Sequence, residues 1–244
     1  LLINGSGNEH GCTFTAFSEA AKALNEEGVE TEIIQLGKDA IRDCMGCGAC
    51  TKLGKCVFDE DQVNKVAAKA KEADGFIFGS PVYYAHPSGR ILSFLDRAFY
   101  SGSGAFRFKP GAAVAVARLG GTTASFDCLN KYFGISQMPV IGSTYWNNVH
   151  GAAPGEAAFD AEGLQTMRNL ARNLAWMLKC FEAGKKSLLD NGDKNFVNAK
   201  EKMYDKFPLT VHQMDIIIGV LFALIVLFLV LGVTHTSFFG LFGG

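Results

Sequence analysis

Short apolar runs of β character alternate with amphipathic stretches of helical length over residues 1–183, and this alternation constrains the fold more than any other feature. The strand candidates are 1–4, 30–36, 75–79, 112–117 and 139–143. The helix candidates are 13–27, 61–73, 88–100, 123–133 and 161–183. Strands separated by helices predict a parallel sheet covered on both faces. Right-handed crossovers make a doubly wound α/β sheet of five strands, in the order 2-1-3-4-5, the simplest arrangement. Ligands of such sheets lie beyond the carboxyl ends of the strands, so the loops that follow the strands are where chemistry is expected.

The chain of 244 residues carries 23 Lys and Arg against 24 Asp and Glu, a net charge of −1, which removes the electrostatic footprint of a nucleic-acid binder. It opens inside the apolar run Leu1-Leu2-Ile3 without the layout of a signal peptide, so a secreted protein is not expected. Four of its seven cysteines crowd into residues 44–56, which points to a reducing compartment and a metal or redox site.

Gly5-Ser6-Gly7-Asn8-Glu9-His10-Gly11-Cys12-Thr13 falls where the first strand turns into the first helix. Amides at that helix start, with the hydroxyls of Ser6 and Thr13, form an anion site. Cys12 stands where a nucleoside-triphosphate loop needs Lys, and His10 where a dinucleotide loop needs its third Gly. A monophosphate such as that of FMN fits better, the alternative being an ordinary strand–helix turn with His10 solvated. After the third strand comes Ser80-Pro81-Val82-Tyr83-Tyr84-Ala85-His86-Pro87-Ser88, after the fourth Arg118-Leu119-Gly120-Gly121-Thr122, and after the fifth Tyr145-Trp146-Asn147-Asn148. Pro81, Val82 and Tyr83 offer apolar faces to a planar ring. Gly120 lets backbone approach its edge, and Arg118 offers charge to a reduced flavin. Simple packing and a surface arginine are the alternative for these residues.

Gly5-Ser6 through Thr15, Gly79-Ser80-Pro81-Val82-Tyr83-Tyr84 and Tyr145-Trp146 resemble the flavin-reductase branch of the flavodoxin superfamily, over about residues 1–183. The resemblance implies noncovalent FMN and a homo-oligomer with the flavin near a subunit interface. By position, Ser6, His10, Cys12 and Thr13 then face phosphate, and Pro81, Val82 and Tyr83 face the ring, with Ser80 opening that loop. Arg118 and Gly120 come to the pyrimidine edge, with Arg118 as an electrostatic stabiliser. Gly7 departs from the pattern, where the family usually has Pro.

Cys44, Cys47, Cys50 and Cys56 follow the spacing C-x2-C-x2-C-x5-C, with small residues Gly46, Gly48 and Ala49 between the first three. Three thiolates at three-residue intervals can wrap one face of a [4Fe–4S] cluster, and the fourth closes it. Zinc, which favours two widely separated C-x2-C knuckles, fits less well, and free or disulfide-forming thiols are a further alternative. Cys12, Cys128 and Cys180 stand alone and are expected to be small packing residues. The compact spacing is similar to that of the iron–sulfur flavoproteins of the same superfamily. The leading expectation is an FMN- and [4Fe–4S]-dependent oxidoreductase that takes electrons from ferredoxin or NAD(P)H. A cluster-free NAD(P)H-dependent FMN or quinone reductase and a zinc-stabilised, non-catalytic membrane scaffold are the competing readings.

After residue 183 the texture changes. Residues 184–215 read as a polar linker with a short helix near 195–206. Residues 216–233 then run for 18 positions without a polar side chain. Eighteen residues of helix rise about 27 Å, close to a bilayer core. A single transmembrane helix at 216–234 is therefore expected, with a short tail at 235–244. Lys200, Lys202 and Lys206 precede the run, so the positive-inside rule puts residues 1–183 on the cytoplasmic face of the cell membrane.

Overall fold

The protein is described by a computed structural model, which covers residues 1–190 and 211–233. Leu1–Lys185 forms one compact unit and the chain from Lys186 a second. In the first, β1 (Leu2–Asn4) leads to α1 (Cys12–Glu26) and β2 (Ile33–Gln35). The cysteine segment follows, with the single turn α2 (Cys50–Leu53), and then α3 (Val63–Glu72). The long β3 (Phe76–Tyr83) folds back into the two-residue β4 (His86–Pro87) and enters α4 (Gly89–Phe106). Next come β5 (Gly111–Ala117), α5 (Thr122–Ile135), β6 (Asn148–His150), a 3-10 turn at Glu156–Phe159, and α6 (Ala161–Asp190).

The strands lie in the order β2-β1-β3-β5-β6, all parallel, and β4 pairs antiparallel with the outer end of β3. The five-stranded sheet of order 2-1-3-4-5 is thus corrected to six strands in the order 2-1-3-5-6. Two local events cause the change. Tyr84 and Ala85 take left-handed conformations, φ 52° and 61°, which turn the chain back on itself and create β4. The fifth strand expected at 139–143 is also displaced: only Val140 bridges there, to Gly111. The buried Asn147 donates through Nδ2 to the carbonyls of Ala113 (3.0 Å) and Ile141 (3.4 Å). A side chain fills the gap beside β5, and regular pairing resumes at Asn148.

Alternation along the strands divides the core. Leu2, Ile77, Val114 and Val149 point to one face, where Phe17 of α1 and Met167, Leu170 and Leu174 of α6 cover them. Ile3, Phe76, Phe78 and Ala113 point to the other, under Val66 of α3, Phe94 and Phe99 of α4 and Leu129 of α5. On that face Phe99 and Phe106 stack with centroids 4.4 Å apart, and Phe78 meets both. Close approach also matters on the α1 face. A Cβ on Gly79 would stand 2.4 Å from Cε1 of the fully buried Phe17.

The second unit contributes α7 (Val211–Val233), whose side chains are described over 216–227 and are exposed there. Among the described residues no helix is long and apolar enough to cross a membrane. The transmembrane helix expected at 216–234 is corrected accordingly, and with it the location at the cell membrane and the lipid bilayer as a partner. The short helix expected near 195–206 and the end at 235–244 lie outside the described residues.

The packing of α1 on β3 generates a first prediction. Gly79→Ala should cost about 1–3 kcal/mol through overpacking against Phe17. The expected result is a lower urea midpoint with an unchanged slope for the full chain.

Candidate functional site

The carboxyl ends of β1, β3, β5 and β6 open on one edge of the sheet, and the loops that leave them carry most of the residues singled out above. The loop at residues 5–13 is held from beneath. Asn4, fully buried, accepts the Ser6 amide at 2.9 Å, and Ser6 Oγ accepts the Asn8 amide at 3.1 Å. Gln35 Nε2 donates to the Ser6 carbonyl at 2.5 Å, and Ser88 Oγ donates to the Gly5 carbonyl at 2.9 Å. The carbonyls of Gly5 and Ser6 are thereby occupied from outside, while many of the loop's amides are not. Among the described residues the amides of Gly7, Glu9, His10, Cys12, Thr13 and Phe14 donate to no protein acceptor, and Thr13 Oγ1 makes no hydrogen bond. Unmatched donors at the start of a 15-residue helix fit an anionic phosphate.

The expected phosphate residues do not all behave alike. Ser6 and Thr13 are buried within the loop. His10 is exposed, its ring edge-on to Phe14 at 5.3 Å. Cys12 is committed elsewhere, with Sγ 3.0 Å from the Ala153 carbonyl and a hypothetical Cβ on Gly151 2.8 Å away.

The two ring loops touch. A Cβ on Gly121 would meet Cα of Ala85 at 2.6 Å and Cγ1 of Val82 at 3.0 Å, so the loop after β5 rests on the β3–β4 hairpin. Pro81 and Val82 are half-buried, while Tyr83 and Tyr84 project into solvent. Ser80 is wholly buried and structural: its Oγ donates to the Pro81 carbonyl and accepts the Ser88 amide, each at 2.8 Å. Arg118 is exposed, and Gly120 has open space where a Cβ would stand. The charge of Arg118 also reaches Glu156, whose carboxylate is held below its ordinary pKa chiefly by the amides of Ala152 and Ala153. Tyr145 and Trp146, both exposed, stack at 5.5 Å.

The cysteine segment lies between β2 and α3. Gly46 and Gly48, at φ 66° and 67°, bend the chain in the left-handed region that other residues avoid. Cys44, Cys47, Cys50 and Cys56 line one small cleft with Phe58, Arg97 and Tyr100. Cys56 is its buried corner. Asn64 of α3 accepts the Cys56 amide at 3.0 Å and donates to its carbonyl at 2.9 Å. Arg97 of α4, also buried, donates through Nε to Cys56 Sγ at 3.2 Å and through Nη2 to the Phe58 carbonyl at 2.9 Å. Its Nη1 pairs with Asp61. Burial alone would lower the guanidinium's pKa, but the bonds to Asp61 and Cys56 outweigh it and raise the value. Arg97, Asn64 and Gln35 were not among the residues expected from sequence, since nothing in spacing ties them to a distant loop. Among the described residues no three Cys, His, Asp or Glu side chains stand close enough together to form a metal site. The donor set fits an iron–sulfur cluster in its chemistry, as four thiols on one cleft, with one backed by a cation.

A larger cavity, of about 740 Å³, opens at the opposite edge of the sheet among Leu1, Glu32, Gly75, Phe108 and Leu178. None of the candidate site residues lines it, so donor chemistry rather than volume locates the site.

Residues 1–153 match the model of the NADPH-dependent FMN reductase family. An iron–sulfur flavoprotein of Methanocaldococcus jannaschii is 38% identical over 185 residues, which are 72% of this chain and 95% of that protein. One from Methanosarcina thermophila is 28% identical over 67% of this chain and 86% of its own. Among solved structures, RosB with a bound 8-demethyl-8-formylriboflavin-5′-phosphate intermediate superposes with a TM-score of 0.59 at 12% identity, over 86% of this chain and 90% of that one. A flavodoxin from the Archaea superposes with a TM-score of 0.51 at 14% identity, over 73% and 96%. The structural likenesses establish the flavodoxin-like fold, and the sequence matches go further. The chain belongs to the NADPH-dependent FMN reductase family and, as a relative of the iron–sulfur flavoproteins, is an FMN-dependent oxidoreductase.

Proposed function

We propose that this oxidoreductase passes electrons from NAD(P)H or reduced ferredoxin to an acceptor, with FMN at the carboxyl edge of the sheet and a [4Fe–4S] cluster on Cys44, Cys47, Cys50 and Cys56. The observation that carries the reading is the joint one: donors without acceptors at residues 7–14, and four thiols on one cleft in the segment after the neighbouring strand. When bound, the flavin supplies exchange between two-electron and one-electron chemistry, and the cluster supplies single-electron transfer.

The chain's own residues divide the remaining work. The amides around Cys12 and Thr13 bind the phosphate dianion at the positive end of α1. Pro81 and Val82 give an apolar floor, with Tyr83 at its rim, and Gly120 keeps a ring edge clear of side chains. Arg118 holds a positive charge at the mouth, where negative charge on a reduced ring is favoured. Arg97 fixes the Cys56 sulfur in the cleft through the hydrogen bond from its Nε. Exposed Tyr83, Leu119 and Trp146 around this edge support a homo-oligomer as the working assembly.

Anaerobic purification of the full chain tests the reading. The expected result is a flavin spectrum over a broad cluster band, with about four irons per chain. Flavin without iron supports a cluster-free reductase, and zinc without flavin removes both redox centres. Cys47 is exposed, so Cys47→Ser should abolish bound iron and leave FMN occupancy largely intact. Equal iron in variant and parent shows that Cys47 is not a ligand. Thr13→Glu places a second negative charge beside the phosphate and should weaken FMN binding by at least about 100-fold. Fluorescence titration of the two proteins checks it.

A further inference from the structure

Arg90 lies in the first turn of α4, and its guanidinium reaches back over the loop at residues 5–13. Nε donates to the Asp39 carbonyl at 3.3 Å and Nη2 to the Lys38 carbonyl at 2.9 Å. Two bonds fix the plane of the fork and leave Nη1 for another partner. Nη1 stands 3.3 Å from the point where a Cβ on Gly7 would be. Among the described residues Nη1 has no acceptor, and Arg90 has no carboxylate within salt-bridge distance.

This position runs against the local electrostatics. The first turn of a helix is the positive end of its dipole, where cations are disfavoured. Two such ends meet at this loop: that of α1, and that of α4, which Ser88 ties to the Gly5 carbonyl. The unmatched amides of the loop add partial positive charge of their own. A guanidinium held among them by two carbonyls, with one nitrogen turned to the loop, lacks only the anion that all of these groups favour.

We propose that Arg90 is a phosphate-binding residue of the flavin site, and that Gly7 is its partner because the missing side chain leaves the guanidinium its way to the phosphate. The inference rests on the reading of residues 5–13 as the phosphate cradle. It adds a cationic, fork-shaped donor to a site otherwise built from amides and hydroxyls. It also assigns a reason to Gly7: any Cβ there crowds Nη1.

The full chain, freed of flavin, is titrated with FMN and with riboflavin by fluorescence quenching, at several salt concentrations. For the parent protein FMN should bind far more tightly than riboflavin. In Arg90→Ala the FMN dissociation constant should rise about 10- to 100-fold, the range for a charge-assisted hydrogen bond, while that for riboflavin stays within about twofold. The salt dependence of FMN binding should flatten, and Arg90→Lys should fall between the two proteins. Gly7→Ala should weaken FMN binding in the parent and add little in the Arg90→Ala background. Equal losses for FMN and riboflavin in Arg90→Ala overturn the proposal, because Arg90 would then only support the loop. Additive effects of the two substitutions overturn the pairing with Gly7. If the parent binds both flavins equally, the phosphate cradle itself is wrong, and that outcome shows before any variant is made.

Discussion

β3 is the strand on which the rest of this structure depends. It pairs with β1 on one side and β5 on the other, and its inner residues Phe76–Ser80 are buried. A strand saturated in both directions leaves no free backbone along its length, so polar chemistry is pushed to its ends. At the carboxyl end β3 outruns its neighbours and doubles back through Tyr84 and Ala85 into β4. That hairpin becomes the shelf on which the loop after β5 rests. Gly79, just inside this end, lets Phe17 come close enough to press α1 onto the sheet, and so sets where the start of α1 stands relative to the shelf. The loop at residues 5–13 and the loops after β3 and β5 are thus placed by the packing of one strand.

The cysteine segment is organised by a different force. It has few buried apolar side chains of its own, and its conformation leans on a buried cation. Removing charge from water is costly unless partners restore what solvation supplied. Arg97 has such partners in Asp61, the Arg42 and Phe58 carbonyls, and Cys56 Sγ. Each of these belongs to the stretch between β2 and α3. The guanidinium works as a template: a stretch that would otherwise have no core wraps around five donors set in a plane. Cys56 is held through side chain and backbone at once, whereas Cys47 is left exposed at the tip. One thiol is thus held rigidly while the other three are more accessible.

How far the sequence discloses all this depends on the range of the interaction. The strands expected at 1–4, 30–36, 75–79 and 112–117 follow from local apolar runs, most of which the sheet buries on both faces. The loop at residues 5–13 is legible for the same reason, as glycines and hydroxyls between a strand and a helix carry their own signal. The fifth strand is not, since Val140 and Ile141 have strand composition and yet Asn147, seven residues beyond Val140, decides the pairing by bonding to Ala113. Ser80 and Cys12 look like ligand residues in a motif, but their partners Ser88 and Ala153 are set by tertiary contacts that no spacing reveals. Arg90 and Arg97 are the extreme cases. Each is an ordinary cation on an amphipathic helix until the chain is folded, and only then does one meet Gly7 and the other Cys56.

Hydrogen bonds join the loop at residues 5–13 and the cysteine segment into one frame. Gln35 at the end of β2 holds the Ser6 carbonyl, and its own carbonyl is held by Gln62, next to Asp61 in the Arg97 network. Arg90 ties the loop side to Lys38 and Asp39, where the chain leaves β2 for the cysteines. Two independent strands of bonds therefore run from the phosphate loop to the cysteine segment. A contiguous path of bonds is a support before it is a signal. For the function proposed above, such a support would keep the ring loops and the cysteine cleft at a fixed separation. The exposed Cys47 and the exposed rim at Tyr83 and Arg118 lie outside this frame.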